Sequence, residues 1–210
     1  QAKGEWDWAI EYCERSLAIL EEVGDDHGMA GILKNLGSMY QAKGEWDRVI
    51  EYYERNLAIL EKVGDEHGMA ATFNNLGNVY QAKGEWNRAI EYYERSLAIR
   101  EKAGDEDRMA PTFNNLGMVY RDREEWDRAT EYYERSLAIW DKVGDEPGMA
   151  FSYNNMAGLY QDQGRLQEAV SLFQKSVEIW ERIGDEYHAK IGWKNLAKVK
   201  QELEAKKGQG

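Results

Sequence analysis

Five asparagines, Asn35, Asn75, Asn115, Asn155 and Asn195, stand forty residues apart, and Asn74, Asn114 and Asn154 immediately precede three of them. An Asn amide offers N–H donors and a carbonyl acceptor, which matches one peptide unit of an extended backbone. A row of such amides would clasp successive peptide units without demanding one side-chain sequence, each bond adding about 0.5–1.5 kcal/mol net. Asn is a mediocre helix former, so propensity does not explain five copies at one position. The competing reading is that these amides bridge adjacent repeats or loops.

Catalytic chemistry finds no comparable set of residues. No Ser/His/Asp constellation, identifiable carboxylate pair or phosphate-cradling loop is present, so no catalytic residue, enzyme activity or cofactor is expected. His27 and His67 lie at one position of successive repeats beside Asp26 and Glu66, but Asp107 and Pro147 follow at that place. A metal site needs a denser ligand set, and the pair reads as part of a solvated loop. Cys13 fills the slot of Tyr53, Tyr93 and Tyr133, which predicts a core position. Trp46, Trp86 and Trp126 recur on the apolar stripe of their segments, which predicts packing.

The elements that position these residues follow from self-similarity. Residues 41–80 return as 81–120 with 31 of 40 positions identical, and the same frame fits the rest of the 210-residue chain. A fixed period of this size means a repeat array in which each unit buries its apolar side against neighbours. Gly24-Asp25, Gly64-Asp65, Gly104-Asp105, Gly144-Asp145 and Gly184-Asp185 suit a left-handed helix end followed by an N-cap. A helix then carries Met69, Phe73, Leu76, Gly77 and Tyr80 along one stripe, and Gly84 ends it. A second helix shows Trp86, Ala89, Ile90, Tyr93 and Leu97 on one face and Tyr92 and Ile99 on another, so it touches two neighbours. The expected fold is all-α, a solenoid of stacked antiparallel helix pairs.

The run Phe73-x-x-Leu76-Gly77-x-x-Tyr80, followed by Gly84, Ala89, Tyr93 and Leu97, resembles the tetratricopeptide repeat. The unit is six residues longer than that family's usual 34, and Glu101 stands where a Pro often ends the second helix. Both departures resemble the longer subtype of kinesin light chains, spindle-orientation adaptors and bacterial signalling regulators. The expected layout is a lone second helix at 1–24, four complete repeats at 25–64, 65–104, 105–144 and 145–184, and a capping helix and tail at 185–210. Second helices are expected to start near Glu5, Glu45, Glu85, Glu125 and Arg165. The first residues match the internal repeat junction, as in a piece cut from a longer array or a consensus-type assembly. Lys198, Lys200, Gln201, Glu202, Glu204 and Lys206 give the last helix the polar face of a cap.

The resemblance implies a right-handed superhelix whose first helices line a concave groove, with the five asparagines at a position that often contacts ligand. Lys34, Gln41, Asn78, Gln81, Arg121, Gln161 and Lys194 are expected on the same face, with most acidic residues on second helices and loops. The implied partner is a protein or peptide, with a neutral or acidic segment favoured. Arg100, Arg108, Arg121 and Arg123 are private to the third repeat and suggest an acidic-ligand pocket there. With 27 basic and 39 acidic residues the chain would repel a phosphate backbone, so nucleic acid is not expected. No apolar run reaches membrane-spanning length, and the single cysteine fits a reducing, cytoplasmic setting. The alternative function is self-assembly, head to tail or as a homo-oligomer, through an apolar face of the first helix formed by Trp6, Trp8, Ile10 and Leu17.

Overall fold

The computed structural model describes residues 2–208, with side chains from Trp6 onward. Gln1 of the expected 1–24 segment, and residues 209–210 of the expected tail, lie outside the described residues. The chain forms two compact units, 1–104 and 105–210. Unit 1 holds α1 (Ala2–Val23), α2 (Asp26–Lys43), α3 (Trp46–Val63), α4 (Glu66–Ala82) and α5 (Trp86–Ala103). Unit 2 opens with a 3-10 turn at Glu106–Met109, then α6 (Ala110–Asp122), α7 (Trp126–Val143), α8 (Glu146–Asp162), α9 (Leu166–Arg182) and α10 (Glu186–Lys207). Each unit is all-α among its described residues, and successive helices pack as antiparallel pairs. The expected solenoid architecture is present in both units.

The caps explain the boundaries. Asp25, Asp65 and Asp145 accept the N–H of the glycine three residues on, at 2.9, 2.8 and 2.8 Å. Asp185 accepts that of His188 at 3.0 Å. The third repeat departs from this pattern. Pro111 stands within its first turns, where it lacks an N–H and its ring crowds the preceding backbone. The segment after Asp105 therefore tightens to a 3-10 turn, Asp105 makes no side-chain cap bond, and the α-helix starts only at Ala110. The first helical element also departs from expectation: it starts at Ala2 rather than near Glu5.

The core is built where a first helix meets the second helix of its own repeat. A Cβ built on Gly117 would lie 2.6 Å from two ring carbons of Tyr133, so only glycine admits that ring at this crossing. Tyr40 stacks on Tyr52, Tyr80 on Tyr92 and Tyr120 on Tyr132, with centroids 5.3, 5.2 and 5.3 Å apart. These pairs seal the edge of each helix pair. Three second helices, α3, α5 and α7, also hydrogen-bond across their pairs: Asn56 Nδ2 donates to Ala30 O at 2.6 Å, Ser96 Oγ to Ala70 O at 2.7 Å and Ser136 Oγ to Ala110 O at 2.9 Å.

Two packing expectations are corrected. Trp46 and Trp126 are only half-buried, and Trp86 is 40 % exposed. Their place at the first helical residue, beside the turn, sets them on the rim rather than in the core. On α1, Ile10 and Leu17 are buried, while Trp6, Trp8, Tyr12, Ile19 and Val23 are exposed. Cys13 is half-buried, and burial together with the Glu14 carboxylate pushes its thiol pKa up.

Candidate functional site

In unit 1 the site residues lie on α2 and α4. Lys34 and Asn35 are exposed, and Gln41, Asn74, Asn75, Asn78 and Gln81 are half-buried. Asn78 and Gln81 are held from below. The Tyr93 hydroxyl lies 2.7 Å from Asn78 Oδ1 and 2.9 Å from Gln81 Oε1, and its one proton serves either acceptor. Burial pushes the Tyr93 pKa well above the phenol range, so the hydroxyl stays a donor. In the preceding repeat, Ser38 and Gln41 meet the Tyr53 hydroxyl at 3.3 and 3.5 Å.

In unit 2 the residues lie on α6, α8 and α10. Asn155 Nδ2 donates to Asn114 Oδ1 at 3.1 Å, and Asn195 Nδ2 donates to Asn154 Oδ1 at 3.4 Å. Each bond joins the first helix of one repeat to that of the repeat before it. The bridging reading of the asparagines is thus realised here, and it uses one N–H of each donor amide. Asn114, Asn115, Asn154, Asn155 and Asn195 are all half-buried, while Lys194 is exposed.

The lining is less basic than expected. Arg121 Nε donates to Asp162 Oδ2 at 2.6 Å, and the guanidinium occupies the space above Gly158, where an added Cβ would meet Nη1 at 2.8 Å. Gln161 Nε2 donates to both carboxylate oxygens of Glu202 at 2.9 Å. Two acidic residues, Asp162 on α8 and Glu202 on α10, therefore stand beside the lining on first helices. Asp162 and Glu202 were missed because the spacing rule that finds them is geometric. A residue on one first helix meets the residue 41 positions later on the next, as for Asn114 with Asn155 and Arg121 with Asp162.

The private arginines of unit 2 each stand beside a carboxylate. In unit 2, Arg108 faces Asp105 at 3.6 Å, Arg121 faces Asp162, and Arg123 faces Glu125 at 2.7 Å. In unit 1, Arg100 is buried in the last turn of α5. The third repeat pays elsewhere for its substitutions: Met118 and Arg121 replace the acceptors of Tyr93, so the buried Tyr133 hydroxyl has the Arg121 guanidinium beside it and no acceptor for its proton.

His27 and His67 are exposed. Among the described residues, no three His, Cys, Asp or Glu side chains gather in a metal-binding group. No described helix is long and apolar enough to cross a membrane.

Solved structures share this architecture. BtubC (BKLC) from P. vanneervenii matches with a TM-score of 0.82 at 20 % identity, over 93 % of this chain and 83 % of that one. A Podosopora anserina protein described as kinesin light chain-like, with nearly identical TPR-like repeats, matches with a TM-score of 0.68 at 27 % identity, over 87 % and 90 %. The tetratricopeptide repeat sensor-bearing signal transduction ATPase of Pyrococcus horikoshii matches with a TM-score of 0.75 at 17 % identity, over 89 % of this chain and 30 % of that one. No curated protein sequence matches. The tetratricopeptide repeat model matches residues 1–62, 28–102, 108–182 and 148–206. With nearly the whole chain under that model, and helix pairs closed by glycine against tyrosine in repeat after repeat, this protein belongs to the tetratricopeptide repeat family.

Proposed function

We propose that the chain is a non-enzymatic protein-interaction scaffold that holds an extended peptide segment along the first helices of its repeats. The observation that carries this reading is the pairing of Asn155 with Asn114 and of Asn195 with Asn154. Each pair fixes the orientation of half-buried amides at the repeat spacing, so a ligand meets donors and acceptors whose rotamer entropy is already spent. The Asn74, Asn75 and Asn35 positions on α4 and α2 repeat the same residue types in unit 1.

Ligand preference follows from the charges that remain. Lys34 on α2 and Lys194 on α10 are exposed cations on these helices, whereas Arg121 is paired with Asp162. In unit 2 a neutral segment with an acidic residue near Lys194 suits the lining, and a basic segment would meet Asp162 and Glu202; in unit 1 an acidic residue suits Lys34. Each amide bond contributes only about 0.5–1.5 kcal/mol, so several are needed for useful affinity.

The test is a peptide-library screen on the unchanged protein beside an Asn155→Ala/Asn195→Ala variant, with helicity checked by circular dichroism. Loss of the hits in a folded variant supports the reading. Hits of equal strength in both proteins would move binding to another surface.

A further inference from the structure

Within unit 2 the first helices carry three bands of residues along their length. One turn before Asn115, Asn155 and Asn195 stand Pro111, Phe151 and Ile191, where unit 1 has Gly31 and Ala71. Residues four apart on a helix share a face, with Cβ atoms about 5–6 Å apart. Phe151 is 41 % exposed although a first helix lies on either side of it: α6 packs beside α8, and α10 meets the ring through His188. The middle band is the amides, joined as Asn155 to Asn114 and Asn195 to Asn154. The third band, toward the helix C-termini, holds charges that already have partners in the fold. Arg121 bonds Asp162, and Glu202 accepts from Gln161 with Lys198 at 3.9 Å.

We propose that unit 2 selects an extended segment of alternating apolar and uncharged polar residues, with Phe151 as the seat of an apolar side chain. The selection rests on the reading that the amides clasp a peptide backbone, and it adds which side chains that peptide carries. An extended chain presents its N–H and C=O groups along its edges, and its side chains leave perpendicular to them in alternately opposite directions. With the amides on one edge, successive side chains point in turn toward the N-termini and the C-termini of the first helices. Every second side chain therefore arrives at Pro111, Phe151 and Ile191, and the others arrive at the paired charges.

The two directions reward different chemistry. An apolar side chain beside Phe151 leaves water for a ring. The same side chain on the other side would cover charged groups without bonding them, which costs free energy. An uncharged polar side chain there keeps those groups hydrogen-bonded and brings no like charge to either member of a pair. Met118 on α6 is 36 % exposed on that side and departs from the order, so the contrast is set by α8 and α10.

Phe151 is also fixed in place. Its ring stands nearly perpendicular to those of Trp180 and His188, at 73° and 79°, with centroids 5.7 and 4.9 Å apart. Edge-to-face contacts of this kind stabilise aromatic pairs, and Trp180 is itself only 2 % exposed. A ring held by two neighbours loses little rotamer freedom when a ligand covers its open part.

A library of short synthetic peptides is screened against the unchanged protein, Phe151→Ala and the Asn155→Ala/Asn195→Ala variant, with helicity checked by circular dichroism. The enriched peptides are expected to carry apolar residues at every second position. The tightest of them is expected to bind Phe151→Ala about tenfold more weakly. An alanine scan of that peptide should find one apolar residue with a similar loss on the unchanged protein and little further loss on Phe151→Ala. Should Phe151→Ala lose helicity, Phe151→Gln, which fills the same space with a polar side chain, takes its place with the same expected weakening. Hits that vanish in the folded Asn variant yet show no alternation, or that bind the Phe151 variant equally well, overturn this proposal and leave the amide clasp standing. Hits undiminished in the Asn variant overturn the clasp and the selection that rests on it, as does a screen without hits.

Discussion

The buried hydroxyl of Tyr93 finds Asn78 Oδ1 at 2.7 Å, whereas Tyr133, one repeat later, has Met118 at the matching position and no acceptor for its proton, only the Arg121 guanidinium beside it. A buried donor without an acceptor costs about 1–3 kcal/mol. Met118→Asn is therefore expected to stabilise the protein by about 1 kcal/mol in urea unfolding, and Asn78→Met to destabilise it by a similar amount. Equal and small effects at both sites would mean that water serves Tyr133 as well as Asn78 serves Tyr93.

Glu124 adopts φ 61° where Gly44, Gly84 and Gly164 stand in the other repeats. The left-handed conformation costs a non-glycine residue about 1–2 kcal/mol. Glu124→Gly should raise stability by about 1 kcal/mol, and Gly84→Glu should lower it comparably. Thermal melts of the two variants check the sign.

The Asn155–Asn114 bond links two repeats. Single alanine substitutions at each, and the double variant, form a thermodynamic cycle. A coupling of about 0.5–1 kcal/mol is expected. A coupling near zero would mean that the amides are neighbours without a stabilising bond.

Burial raises the pKa of Tyr53, Tyr93 and Tyr133 above the usual phenol value. The native state therefore keeps protons that the unfolded chain begins to release near pH ~10. The tyrosine contribution is complete below that pH and is lost as pH rises through it. Urea midpoints measured from pH 8 to 11 should fall steeply above about pH 10, with tyrosinate absorbance at 295 nm appearing together with unfolding. Tyrosinate appearing well before unfolding would contradict it.

Much of the architecture was legible because punctuation and stripe recur in phase: Gly64-Asp65 ends and caps, Phe73, Leu76 and Tyr80 bury, and Gly84 turns. The third repeat misled because one residue, Pro111, removes a donor that a pattern of side chains does not display. Arg121 looked cationic because its partner Asp162 lies 41 residues away, an offset set by how first helices stack rather than by the period itself. The tryptophans read as packed because recurrence marks a constrained position, and recurrence does not give its depth. A ring at a helix's first residue can be equally constrained on the rim.

That placement has an optical consequence. Of eight tryptophans only Trp180 is buried, while Trp6, Trp8, Trp86 and Trp193 are exposed. Indole emission from the native protein should already be red-shifted and accessible to iodide, so unfolding will move its maximum little. The fluorescence instead reports on the surface. Shielding of Trp8 and Trp193 from quencher would reveal contact at the two end helices while the tyrosine-lined interior stays optically quiet.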